Sequence, residues 1–285
     1  MLAPLLALGS AALYGASDFL GGLAARRASP ITVVAGSQLA GLVVLAVVLP
    51  LLPGADPAKP DLIWGAAAGV AIGAGLALLY AALALGRMAV VAPTTGVCAV
   101  VIPVMAAMLL GERPGPRVLA GIALAVVSIV LVSRTRSSAA PGERRSPRRL
   151  PSGLGLALLS GVAIGLFFFS LARTAPAAGL WPLLAARLVA VVLFGMLAVG
   201  GGRSVRMAAP VAAMVIGGGV IDVLSNALYL IATRHGPLSV VVTLSSLYPA
   251  STVMLALLVL GERLSATQGV GIASALIAVL LIVSP

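Results

Sequence analysis

"LLGER" at residues 109–113 returns as "VLGER" at 259–263, so Gly111-Glu112-Arg113 and Gly261-Glu262-Arg263 stand 150 residues apart. The same offset carries Ser10 onto Ser160 and Gly15 onto Gly165. Three residues alone mean nothing, but a register held across separate pairs reads as a duplicated unit. Both motifs close a long apolar run, so the repeated unit is a set of apolar segments.

Composition says what kind of segments these are. Of the 285 residues, 61% are hydrophobic and 9% are charged, against about a quarter charged in an ordinary soluble domain. The charges gather between apolar runs of about 20 residues, the length a helix needs to cross a bilayer. Charge and Pro/Gly punctuation predict spans at 2–24, 31–52, 62–85, 89–110, 116–133, 153–172, 178–200, 208–232, 238–260 and 266–284. The polar interval "SRTRSSAAPGERRSPRR", 133–149, divides them into two sets of five. An odd number of spans per unit makes the second unit enter the bilayer from the opposite side. The expected fold is therefore an all-α integral membrane protein, with ten transmembrane helices in two inverted five-helix repeats. The repeats occupy 1–134 and 153–285, with a basic linker at 135–152. They are not perfect copies: Pro103 stands 8 residues before Gly111 and Pro249 stands 12 before Gly261, which predicts unequal fourth and ninth helices.

Several function classes lose their footing here. Cys98 is the single cysteine, so no internal disulfide or zinc framework is expected, and no cofactor motif is present. The net charge of +11 lies in short interhelical loops without a nucleic-acid module, which makes anionic lipid headgroups at the linker the expected partner. The first apolar run has no basic region before it and reads as a span rather than a cleaved signal. A Walker A motif and an HExxH motif are both missing, and His235, the one histidine, falls at a span end. An intramembrane enzyme is the weakest reading. A non-transporting scaffold or sensor is the alternative to a transporter, and it predicts polar stripes packed on each other.

The polar residues inside the spans carry the functional expectation. In "VIDVLSNALYLIATRH", 220–235, Asp222, Ser225, Asn226 and Tyr229 fall on one helical face. That stripe reads as a cavity wall or as interhelical glue; a charged Asp facing lipid would cost about 2.5–3.5 kcal/mol. The first span repeats the logic with Ser10, Tyr14, Ser17 and Asp18. Two intramembrane carboxylates, Asp18 and Asp222, are candidates to carry protons across; the alternative for Asp18 is a hydrated place near the interface. Arg187 is the one basic residue placed within a span. It can bind a substrate carboxylate, pair with Asp18 or Asp222, or snorkel. Pro93, Thr94, Thr95 and Gly96 in the fourth span, and Ser245, Ser246, Tyr248 and Pro249 in the ninth, predict irregular backbone beside a cavity, although prolines also kink purely structural helices. Phe167 to Phe169 offer an apolar pocket wall or plain packing. Glu112 and Glu262 read as local pairing or helix-end groups.

These residues together resemble the EamA-type transporters of the drug/metabolite transporter superfamily. The resemblance rests on two five-span units, "LYGASDFLGGLAARRAS", "VVAPTTGVCAVVIPVMAAMLLGER" and "LSSLYPASTVMLALLVLGERLS". It implies a ten-helix bundle exporting or taking up small metabolites by alternating access in the inner membrane of a prokaryote. It also implies a cavity lined by Tyr14, Asp18, Tyr80, Thr94, Thr95, Phe168, Asp222, Asn226, Tyr229, Ser246 and Tyr248. Family members are usually drawn with cytoplasmic termini. Here 12 Lys and Arg residues lie on the linker's side against 5 on the other, and the positive-inside rule puts the linker, not the termini, in the cytoplasm.

Overall fold

The computed structural model describes residues 2–52, 54–109, 115–133, 153–202, 206–235, 244–245, 247–262 and 264–283. The predicted linker, Ser246, Glu112 and the opening of the ninth predicted span lie outside them. Among the described residues the chain is helical, without strands. The helices whose bounds fall among the described residues are α1 Leu2–Ala25, α2 Pro30–Val48, α3 Lys59–Leu85, α4 Met88–Leu109, α5 Pro116–Ser133, α6 Leu154–Ala172, α7 Trp181–Gly200, α8 Ala209–His235, α9 Tyr248–Leu260 and α10 Ala266–Val283. The segments Leu2–Ala25, Pro30–Leu51, Lys59–Leu85, Leu154–Leu171, Trp181–Gly200 and Ala209–Tyr229 are long and apolar enough to cross a membrane. The chain is an integral membrane protein.

Local chemistry sets the helix ends. Pro opens α2, α3, α7 and α9 within the first two positions, where its fixed φ suits a helix and its missing N–H is not needed. Gly261, at φ +63°, turns the chain out of α9, a left-handed step that glycine makes without a Cβ penalty. That turn positions Glu262, whose two carboxylate oxygens accept the N–H groups of Met88 and Ala89, each at 3.0 Å. The Gly-Glu of the second repeat thus ends one helix and caps the start of α4. Of the two roles the sequence suggests for Glu262, local pairing or a helix-end group, the carboxylate takes the second, at a helix of the first repeat.

The two halves interlock. α1 packs on α8 and α9, and α6 packs correspondingly on α3 and α4; α2 meets α7 and α8, α7 meets α3, and α5 pairs with α10. Hydrogen bonds recur at the 150-residue offset. Ser10 Oγ donates to the Ser225 carbonyl at 2.9 Å, and Ser160 Oγ donates to the Gly75 carbonyl at 2.8 Å. Thr95 Oγ1 donates to Ala157 O at 3.2 Å, and Ser245 Oγ to Ala7 O at 3.4 Å. Close approach between helices relies on small residues, as expected where lipid removes the hydrophobic drive for helix association. On α3, a Cβ at Gly65 would strike the Pro182 carbonyl, one at Gly69 the Ala186 carbonyl, and one at Gly73 the Phe194 ring. Gly219, 150 residues after Gly69, meets the Ser37 carbonyl on α2 in the same manner.

The fourth and ninth spans differ in continuity. α4 runs unbroken through Pro93 and Pro103, which corrects the irregular backbone predicted for it. Its first turn is held from outside by Glu262, and the Thr94 hydroxyl bonds back to Val90 O at 2.9 Å. In the ninth span Leu247 leaves helical geometry, at φ −80° and ψ 3°, and α9 starts at Tyr248 with Pro249 in its first turn.

Candidate functional site

α1 and α8 form the spine of the site. Ser10 reaches the carbonyl of Ser225 and Ser17 that of Gly218, each at 2.9 Å, so the two helices run antiparallel with their polar stripes face to face. Between these bonds Tyr14 Oη donates to Asn226 Oδ1 at 2.8 Å, and Asn226 Nδ2 donates to the Asp222 carbonyl at 2.7 Å. Ser225 is fully buried and also donates to Ile221 O at 2.8 Å. Ser10 and Ser17 are therefore consumed in fixing the helix pair, and the Ser225 hydroxyl stays within α8.

Asp222 is tied to α7. Arg187, on α7, forms a salt bridge from its Nη2 to Asp222 Oδ2, and its Nη1 donates to Gln38 Oε1 on α2 at 3.2 Å. The Arg187 side chain is 3% exposed and that of Asp222 is 24% exposed. Gly41 on α2 leaves room for the guanidinium, since a Cβ there would collide with it. Of the partners the sequence left open, Arg187 has Asp222. Its Nε is buried and makes no hydrogen bond.

Asp18 stands on the same face of α1 as Tyr14, one turn further on. Its side chain is partly accessible, and it has no hydrogen-bond or ion-pair partner among the described residues. The rings of Tyr14 and Tyr248 meet edge to face, with centroids 6.3 Å apart. Tyr248 Oη is buried with no partner.

The other predicted residues are placed as follows. Tyr80 is 2% exposed and belongs to the largest apolar cluster, its ring seated against Gly21. Thr94 and Thr95 are buried, with both hydroxyls given to carbonyls, so neither offers a free group. Phe168 is 42% exposed and leans on the buried Phe167, with ring centroids 5.2 Å apart. Tyr229 packs beside Ala3, Ala7 and Ala232. His235, at the exposed end of α8, has its Nδ1 2.8 Å from Ile231 O. Among the described residues no group of His, Cys, Asp and Glu is arranged to hold a metal.

Sequence reasoning passed over two features. Gln38 carries no charge and belongs to none of the polar stripes read from the sequence, yet it is the second ligand of the guanidinium. Asp61, buried at the start of α3, accepts N–H bonds from Ala58 at 3.0 Å and Ala175 at 2.7 Å, joining α3 to the turn before α7. Its position one turn into an apolar run, just after Pro60, was the available signal.

A helical membrane bundle with an ionised network between its two halves is the class that fold and site define. The model of the EamA-like transporter family matches residues 1–134 and again 151–284. The chain belongs to that family, and with it to the drug/metabolite transporter superfamily. Thirteen chains of solved structures match it. One of these, described as "Crystal structure of protein", is 17% identical, with 98% of this chain and 95% of that chain covered and a TM-score of 0.60. That likeness is one of fold. No curated protein matches the chain.

Proposed function

We propose that the protein is a secondary-active transporter that exports small metabolites by alternating access, with protons as the coupling ion. The observation that carries this reading is Asp18, without a partner among the described residues, on the helix α1 that is bonded along its length to α8, which carries the acid of the Arg187–Asp222 pair. A carboxylate inside a bundle is costly unless it serves a pathway. A scaffold that needed only packed stripes would be served by the serine bonds alone. In this reading the halves 1–134 and 153–285 are inverted five-span units. The polar face of α1 and α8, with Tyr248, borders the substrate path, and Asp18 is the proton carrier. Asp222 serves first as the counter-ion of Arg187. The arginine-rich linker faces the cytoplasm of a prokaryotic cell and touches anionic headgroups there.

The test is flux. Purified protein in liposomes, loaded with a pH-sensitive dye, is challenged with a panel of amino acids, organic cations and small acids. Substrate-driven proton movement that disappears in Asp18→Asn supports the proposal. Flux unchanged in that variant removes Asp18 from the coupling, and inertness across the panel refutes the transporter reading in favour of a scaffold.

A further inference from the structure

We propose that Glu262 latches the protein shut on the linker's side: its carboxylate, with the Arg87–Gln268 bond beside it, pins the first turn of α4 over the approach to Asp18 from that side. The inference rests on the transporter reading and goes past it, to which end of the path is closed at rest and by what.

The start of α4 cannot cap itself. The first N–H groups of a helix lack partners within it, and the two residues before Met88, Gly86 and Arg87, carry no acceptor side chain. Glu262 fills the gap from the other repeat, taking the N–H groups of Met88 and Ala89 at 3.0 Å each. A carboxylate there also meets the positive end of the helix dipole. A second bond lies alongside. Arg87 Nη1 donates at 3.1 Å to Gln268 Oε1, which also accepts the Ser265 N–H at 3.2 Å, and Gln268 is buried. The turn from α9 to α10 therefore grips the start of α4 at two points.

What the grip holds is a plug. Met88 and Ala89 are fully buried. A Cβ on Gly22 of α1 would strike the Met88 methyl, so Met88 lies on that glycine. Ala89 and Val90 close against Val253 of α9 and Ile272 of α10. In the inverted-repeat reading α1 ends, α4 starts and α9 ends on the linker's side. Gly22 stands four residues after Asp18, on the same face of α1 and one turn nearer that side. Met88 thus covers the face of α1 between Asp18 and the linker-side surface.

The repeat makes the latch one-sided. Glu262 has a sequence counterpart in Glu112, but Arg87 and Gln268 stand 150 residues from Pro237 and Val118, whose side chains can make no such bond. Two ends bonded unequally leave the better-bonded end closed at rest. The bonds are also of a kind that can open, since N–H groups freed at a helix start can be taken by water.

The test reads the two turns directly. In full-length protein carrying Cys98→Ser, spin labels are placed at Leu85→Cys and Thr267→Cys, both exposed and close in sequence to the latch, and their separation is measured in lipid nanodiscs by electron paramagnetic resonance. With the latch intact one short distance should dominate. Glu262→Ala should raise a longer-distance population about tenfold or more, Glu262→Gln less, and Arg87→Met, which keeps the cap, several-fold. Distances unchanged in Glu262→Ala, or in Arg87→Met should the first variant fail to fold, overturn the latch and leave a plain structural tie. Joining the two cysteines with a short reducible cross-linker should stop flux in the liposome assay, and reductant should restore it. Flux that persists through the cross-link overturns the latch while the transporter reading stands. Distances that shift in a protein that moves no member of the panel would refute that reading and leave the latch in place.

Discussion

Deleting the charge of Asp222 should cost more stability than deleting that of Arg187, and deleting both should cost less than either. The asymmetry follows from exposure. Asp222→Asn leaves a guanidinium whose side chain is 3% exposed, with the Gln38 bond as its remaining contact. Removing one partner of a buried pair costs about 3–5 kcal/mol, and this case belongs at the upper end because water cannot reach the orphan. Arg187→Met keeps the packing of the long stem and leaves a carboxylate that is 24% exposed. Water can solvate part of it, so about 1–3 kcal/mol is expected. The double variant removes both charges and leaves an unpartnered Gln38 carbonyl, a loss of about 1–2 kcal/mol. The implied coupling is about 3 kcal/mol or more, well above the scatter of independent sites. Unfolding in mixed detergent micelles, followed by fluorescence of the two tryptophans, reads all four proteins; Trp181 opens the helix that carries Arg187. Additive losses, with coupling under about 0.5 kcal/mol, or a larger loss for Arg187→Met, would refute the argument. The same logic makes Asp222→Asn a poor probe of transport, since lost flux and lost fold would arrive together.

Glu262→Ala should destabilise by about 1–3 kcal/mol by uncapping α4 at Met88 and Ala89, with Glu262→Gln recovering part of the loss through its single carbonyl oxygen; a neutral Glu262→Ala in the same unfolding assay would show the cap to be idle. Gly69→Ala should cost about 1–3 kcal/mol because its Cβ meets the backbone of Ala186, whereas Gly195→Ala, with open space around it, should be neutral or stabilising by up to about 1 kcal/mol. Equal effects at the two glycines would sink the close-packing account of α3 and α7. Ser10→Ala and Ser160→Ala should lose similar amounts, about 0.6 kcal/mol each, since their bonds to Ser225 and Gly75 are equivalent in the two halves; a difference of more than about 1 kcal/mol between them would deny that equivalence.

Most of the helical architecture was legible because its signals are one-dimensional. Apolar run length places α1, α3 and α6 to within a few residues, and the repeated Gly-Glu-Arg with Ser10 and Ser160 announces the duplication. The polar stripe of α8 was legible from helical spacing alone. Its partners were not, because a stripe states a face and leaves open what that face meets. Nothing in the order of residues distinguishes Asp18 from Asp222 as the mate of Arg187; the choice is made by how α2, α7 and α8 converge. The bonds of Thr94 and Thr95 were illegible for a related reason: a hydroxyl beside a proline reads the same whether it lines a path or closes a bond to a carbonyl. The glycines of α3 carried a spacing of four that was readable as a packing face, but only the structure shows which carbonyls they meet.

The duplication itself helps sort framework from site. Bonds that recur at the 150-residue offset, Ser10 with Ser160 and Thr95 with Ser245, all end on backbone carbonyls and hold helices together. The ionisable cluster does not recur: at the equivalent positions Asp18 faces Phe168, Tyr14 Ile164, Asp222 Ile72, Asn226 Leu76 and Arg187 Ser37. If the acids and the arginine served only to pin helices, the other half would need the same pinning, yet it carries no charge at those places, only Ile, Leu, Phe and Ser. The charges therefore answer a demand that the shared framework does not make. A site that must bind one ligand in one orientation, in a molecule whose halves interlock so evenly, has to be built from residues that break the repeat.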